Sequence, residues 1–172
     1  FEDGADGVSL KSCAVNIDYV SGGRTECNVN AAGKNLYSTL IGADDFSDNT
    51  HATHSNDGGV MVIKMSSEDN SGVYSRGVSA ITKLLVGKTS PITYSFDIKS
   101  TVEGDVAFGY QSAGRLVKNV GTDWPHVSIT ATPNGNSNAF VVYNRSGVAR
   151  EVQIKNFQFE LGSTATDYEL YT

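Results

Sequence analysis

Pro91-Ile92-Thr93-Tyr94-Ser95-Phe96-Asp97-Ile98-Lys99 is the stretch that decides the fold. Large apolar side chains at positions 92, 94, 96 and 98 alternate with polar ones at 93, 95, 97 and 99. A period of two is what a β-strand demands, because its successive side chains point to opposite faces. Proline lacks an amide hydrogen and fits just ahead of a strand. The stretch therefore offers one face to a core and the other to water.

The same period recurs on both sides of it. Toward the C-terminus it appears in Val106, Phe108 and Tyr110; in Val127, Ile129 and Ala131; and in Phe140 and Val142 against Val141 and Tyr143. It then appears in Val152 and Ile154, running into Phe157 and Phe159 across a bulge expected at Lys155-Asn156. Toward the N-terminus it marks Val60 and Val62 against Met61, Ile63 and Met65, then Gly72 to Ser75 and Ile81 to Val86. Glu103-Gly104, Pro133-Asn134-Gly135-Asn136 and Ser146-Gly147 are turn chemistry between antiparallel strands. No segment keeps a helical period over three turns. The expectation is an all-β chain: a two-sheet antiparallel β-sandwich, closed as a jelly roll so that few strand edges stay open.

At 172 residues the chain is long enough for one sizeable core and short for two. Gly4-Ala5-Asp6-Gly7-Val8-Ser9 reads either as a flexible acidic linker or as the end of a Gly-X-Y stalk. Cys13, Val15, Ile17 and Tyr19, then Thr25, Cys27 and Val29, alternate around Ser21-Gly22-Gly23 as a hairpin does. A boundary near Gly33 gives residues 1–33 as linker and N-terminal β-hairpin extension, and 34–172 as the main domain. Past Tyr37 the chain turns polar through Asp44, Asp45, Asp48, Asn49, His51, His54, Asn56 and Asp57, and reads as loop. Cys13 and Cys27 are the only cysteines; they suit a hairpin disulfide or two buried thiols, and they lack the spacing of a zinc site.

A net charge of -6 without a basic cluster argues against a nucleic-acid partner. No apolar run approaches the length that spans a bilayer, so membrane insertion is not expected, and Phe1 opens an acidic stretch unlike a signal sequence. The acidic residues cluster in loops such as Asp44-Asp45 and Glu68-Asp69, where carboxylates stay solvated rather than tuned as an acid–base pair. Gly-x-Ser-x-Gly, His-Glu-x-x-His and phosphate-binding glycine loops are missing. The sequence reads as a binding protein, not an enzyme. No cofactor is expected, and no metal, since His51 and His54 share a polar loop with no third ligand in view.

Several phrases, taken in order, carry a resemblance. They are Lys34-Asn35-Leu36; Val73-Tyr74-Ser75 ahead of Gly87-Lys88; Thr93 to Lys99; Trp124 ahead of Val127-Ser128-Ile129-Thr130; and Ile154-Lys155-Asn156-Phe157-Gln158-Phe159-Glu160-Leu161-Gly162-Ser163 with Ala165-Thr166-Asp167-Tyr168. From about Asn35 onward the chain resembles the jelly-roll carbohydrate-binding modules of the four/nine type, in the version carried by bacteriophage tail and baseplate proteins. The resemblance implies glycan recognition without turnover, on a distal tail, baseplate or fibre protein of the virion, acting extracellularly. The implied partners are bacterial cell-wall or capsular polysaccharide and other phage tail or baseplate subunits. Related modules hold a structural calcium through an aspartate pair in the last strand. The similar position here is Lys155-Asn156, and an ammonium cannot ligate calcium, so none is expected unless Asp167 or the early acidic loop compensates.

Sugar binding on a β-sandwich needs an apolar plate for a pyranose face and polar groups for its hydroxyls. Trp124, followed by Pro125 and His126, either presents its ring as that plate or, as the resemblance suggests, seals an edge of the core. His126, Ser128 and Thr130 share one strand face, as do Asp97 and Lys99; if the two strands are neighbours, these groups line a shallow groove. Tyr110 is in phase with Val106 and Phe108, its ring inward with a hydroxyl toward the rim, and Gln111 then points outward. Tyr143-Asn144-Arg145 ends a strand with a ring, an amide and a guanidinium able to fork onto a phosphate or carboxylate. The candidate carbohydrate-binding residues are thus Trp124, His126, Tyr110, Gln111, Asp97, Lys99, Tyr143 and Arg145. The alternative is a decoration or spacer domain of a phage tail that touches no sugar.

Overall fold

The computed structural model describes residues 45–75, 90–111, 114–133 and 139–169. The expected hairpin with Cys13 and Cys27, the Lys34-Asn35-Leu36 phrase, the run Ile81 to Val86 and the Asn134–Asn136 part of a turn lie outside them. Ten strands are described: β1 (Phe46–Asn49), β2 (Thr53–Asp57), β3 (Val60–Met65), β4 (Gly72–Ser75), β5 (Ile92–Ser100), β6 (Gly104–Tyr110), β7 (Gly114–Val120), β8 (His126–Ala131), β9 (Phe140–Asn144) and β10 (Arg150–Leu161). They form two five-stranded sheets. Sheet A has the order β1-β4-β9-β6-β7 and sheet B the order β2-β3-β10-β5-β8. Every neighbouring pair is antiparallel, and the described residues contain no α-helix. The all-β, two-sheet sandwich is the architecture the alternation predicts.

The inward faces follow the sequence period. Ile92, Tyr94, Phe96 and Ile98 of β5 meet Val106, Phe108 and Tyr110 of β6 across one core, which Met61, Ile63, Val152, Ile154 and Phe159 extend. Phe140 sits at its centre, with ring centroids 4.9 Å from Tyr94, 5.2 Å from Phe157 and 6.0 Å from Phe96, all edge-to-face. That geometry sets the positive edge of one ring on the negative face of the next. Gly72 of β4 is required by close approach: a Cβ there would lie 1.9 Å from the Val142 carbonyl oxygen.

Two expectations need correction. The polar stretch from Asp44 to Asp57 contains two strands, β1 and β2, and Gly114-Arg115-Leu116-Val117-Lys118-Asn119-Val120 forms β7. All three lie at sheet edges, where water reaches the strand from the side and a polar composition costs little. The water-facing side of β5 is likewise only half wet. Asp97 and Lys99 are partly exposed, but Thr93 and Ser95 are buried. Thr93 Oγ1 donates to the Gly162 carbonyl at 2.8 Å, because the segment after β10 folds back over that end of the sheet.

The expected bulge is present. The β10–β5 register shifts between Lys155 and Gln158, and Asn156 takes φ = 53°. Ile154 and Phe157 both point into the core, so one extra residue is accommodated between them. As a result the consecutive Lys155 and Asn156 both reach the outer face.

Candidate functional site

The outer face of sheet B gathers most of the polar groups that the sequence marks. β5 and β8 are paired, with Asp97 opposite His126, Ser95 opposite Ser128 and Thr93 opposite Thr130. Asp97 is the hub. Its Oδ1 lies 2.8 Å from His126 Nδ1, and its Oδ2 accepts a 2.7 Å bond from Asn156 Nδ2, supplied by the bulge. Three strands thus fix one carboxylate, and through it an imidazole and an amide.

Trp124 belongs to the connection between β7 and β8, which is held against β5 at both ends. Ser100 N donates to Gly121 O at 2.8 Å and Ile98 N to Pro125 O at 3.2 Å. The indole is therefore carried over the sheet rather than into the core, and it remains partly exposed. Lys99 Nζ lies 4.8 Å and Lys155 Nζ 4.3 Å from the ring centroid, distances at which an ammonium is attracted by the ring quadrupole.

The C-terminal segment Gly162–Glu169 covers the other half of this face. Thr166 donates to both oxygens of buried Glu160, from its amide at 3.0 Å and its hydroxyl at 2.6 Å. Gln158, also buried, accepts from Glu169 N at 2.8 Å and donates to the carbonyls of Thr166 and Asp167 at 3.3 Å each. Thr130 is absorbed here too, its hydroxyl 2.7 Å from that of Thr93. The strap brings Tyr168 beside the hub: Asp97, His126, Asn156, Ala165, Thr166, Asp167 and Tyr168 line a depression of about 290 Å³. Burial holds the Tyr168 phenol above its ordinary pKa. A second depression of about 180 Å³ is lined by Lys99, Ser100, Thr101, Thr122, Glu151 and Gln153. Both fall short of the roughly 300–1,000 Å³ typical of drug-sized pockets, as suits an open face that touches an extended polymer a unit at a time.

The remaining candidates lie elsewhere. Tyr110 has no exposed surface and packs 5.3 Å from the Tyr94 ring, so its hydroxyl does not reach a rim. Gln111 is exposed in the turn after β6, its amide donating to Ala139 O at 2.9 Å. Tyr143 is on the outer side of sheet A, only 3% exposed, in a small cluster with Ala139, Val141 and Tyr74. The Arg115 guanidinium stands 5.4 Å from its ring. Burial raises the Tyr143 pKa, with Arg115 opposing. Arg145 is engaged by Asp69, Nη1 to Oδ2 at 2.5 Å, away from sheet B. Asp97, Lys99, Trp124 and His126 are thus brought together, while Tyr110, Gln111, Tyr143 and Arg145 are not. Asn156, Lys155 and Tyr168 join the group without having been marked as site residues. The bulge expected at Lys155-Asn156 is the signal that could have found the first two.

The two histidines expected in a loop each meet an acid: His51 Nδ1 lies 2.9 Å from Glu68 Oε1, and His54, in β2, has its Nδ1 2.6 Å from Asp48 Oδ1. Among the described residues no group of three or more His, Cys, Asp or Glu side chains could hold a metal ion, and no helix is long and apolar enough to cross a membrane. Lys155 Nζ faces the Trp124 ring, and Asn156 donates to Asp97.

Two antiparallel five-stranded sheets packed on one core define a class: the jelly-roll β-sandwich. Solved structures place the chain within that architecture. It is similar to the CBM22-1 xylan-binding domain of Paenibacillus barcinonensis Xyn10C, with TM-score 0.55 and 13% identity over 78% of this chain and 98% of that one. It is similar to the second N-terminal cellulose-binding domain of Cellulomonas fimi β-1,4-glucanase C, with TM-score 0.52 and 15% identity over 78% and 98%. It also matches a GH51 α-L-arabinofuranosidase, with TM-score 0.52 and 12% identity, covering 76% of this chain but only 25% of that one. At these identities the likeness is one of fold. No family model matches the chain, and no curated protein matches it significantly.

Proposed function

We propose that this chain is a non-catalytic carbohydrate-binding domain that takes an extended polysaccharide across the outer face of sheet B. The observation that carries the proposal is the constellation there: one partly exposed indole held over the sheet, with a fixed Asp97–His126–Asn156 group and Tyr168 beside it. An apolar plate next to oriented donors and acceptors is what a pyranose requires. Support comes from the fold shared with domains named as xylan-binding and cellulose-binding. The finer setting is a phage tail or baseplate, where the domain would help the virion hold host cell-wall or capsular polysaccharide. That setting rests on the ordered sequence phrases ending in Ile154–Ser163 and Ala165–Tyr168. Shallow sites bind weakly one at a time, and many copies on one particle raise the effective affinity.

A multimerised, fluorescently labelled chain should stain host cells and bind their purified polysaccharide saturably, with Trp124→Ala losing both. A chain that assembles onto tails yet stains no cells and binds no polysaccharide establishes the spacer reading instead. Release of reducing ends from the polysaccharide would contradict the non-catalytic assignment.

A further inference from the structure

The charge balance on this face identifies the kind of sugar it takes, on the premise that it binds a sugar at all. Three acids of this face are hydrogen-bonded, while Asp123, next to the indole in the chain, is exposed. Asp97 is held by His126 and Asn156, and Glu160 by Thr166 through both oxygens. Glu151 accepts 2.7 Å from Gln153 Nε2 and stands opposite Lys64 in the β10–β3 register. Lys155 stands opposite Asp97 in the β10–β5 register, as Lys64 does opposite Glu151. Lys99 and Lys155, from adjacent strands, converge on Trp124, and among the described residues neither makes a hydrogen bond or an ion pair. Like charges repel, and an indole face offsets only part of that repulsion. The chain as a whole carries a net charge of -6, so general attraction for polyanions does not explain the pair.

We infer that the saccharide is anionic, and that its carboxylate or phosphodiester oxygens lie on the ammonium groups of Lys99 and Lys155 at the rim of Trp124. The depression lined by Lys99, Ser100, Thr101, Thr122, Glu151 and Gln153 adjoins that position on the Lys99 side. The neighbouring one, lined by Asp97 and Asp167, takes uncharged hydroxyls. This assigns anion recognition to the two lysines of sheet B rather than to Arg145, whose Nη1 is engaged by Asp69. A hydrogen bond to an ionised group is roughly twice as strong as a neutral one, so two of them dominate a shallow site.

The test uses the whole chain, multimerised, against three probes: polygalacturonate for the carboxylate, a poly(glycerol phosphate) teichoic acid for the phosphodiester, and neutral xylan. We expect one anionic probe to bind at least ~10-fold more tightly than xylan, in line with a charge-assisted contact. Raising ionic strength from about 0.05 M to about 0.5 M should weaken it several-fold through screening. Lys99→Gln and Lys155→Gln should each cost ~10-fold for the anion while sparing xylan. Lys118→Gln, a charge removed from the exposed edge of sheet A, should change nothing. If xylan binds as well as either anion and the glutamine variants match the parent while Trp124→Ala loses binding, the face takes a neutral sugar and the inference is wrong. If no probe binds at all, the carbohydrate reading falls together with it.

Discussion

At the scale of single residues, Asp97 does the most organising on the candidate face. It ties β5 to β8 through His126 and to the bulge of β10 through Asn156. Asp97→Ala should therefore loosen both partners. We expect a stability loss of about 1–3 kcal/mol in denaturant titrations, as for a lost charged hydrogen-bond acceptor, and polysaccharide affinity reduced several-fold. The two tyrosines of the core act on pH instead. Burial raises Tyr94 above its ordinary value of 10.0, with nearby Tyr110 adding to the effect, and burial raises Tyr110 likewise. Both stay neutral in the folded chain at pH values where the unfolded chain ionises them. Their contribution is complete below about pH 10 and is lost as pH rises above it, by at most about 1.4 kcal/mol per pH unit for each. Alkaline unfolding followed by tyrosinate absorbance should show this decline, and Tyr94→Phe should make it shallower. Alternation assigns Asp97, Lys99 and His126 to strand faces that the structure brings together, whereas Trp124 lies in a connection and stands out in the sequence only as the single tryptophan. Residue-level reading misplaced Tyr110's hydroxyl because enclosure by Tyr94 depends on packing between the two sheets.

At the scale of elements, the bulge in β10 and the strap after it shape the site. Removing Asn156 would restore strict alternation, with Ile154 in, Lys155 out and Phe157 in, and would equalise the register against β5. A chain lacking Asn156 should still unfold cooperatively, yet bind polysaccharide more weakly because Asp97 loses its amide partner. Thr166→Val tests the strap. It keeps the shape but removes the 2.6 Å bond to Glu160, and should cost about 1–3 kcal/mol by leaving a buried carboxylate oxygen short of a donor. In β4, Gly72→Ala should be severely destabilising, visible as a large drop in melting temperature, since the added methyl meets the Val142 carbonyl. Elements with a buried face, such as β5 and β6, are legible from alternation. The edge strands β1, β2 and β7 are not, because an edge needs little apolar content, and the strap lacks any periodicity by which to recognise it.

At the scale of the whole molecule, both sheets depend on pairings between distant parts of the chain. Phe140→Ala should lower stability by about 3–5 kcal/mol, because its ring bridges Phe46 and Tyr94 as well as Phe96 and Phe157 and the void would be shared by both sheets. The order of strands has a consequence for synthesis. All five members of sheet A precede β10, so they can associate while the ribosome is still translating. Sheet B cannot: β10 lies between β3 and β5, and without it only the β2–β3 and β5–β8 pairs exist, each with an open inner edge. A nascent chain thus carries two adhesive borders until Leu161 has left the exit tunnel, and that interval is when crowded neighbours would be most apt to trap it.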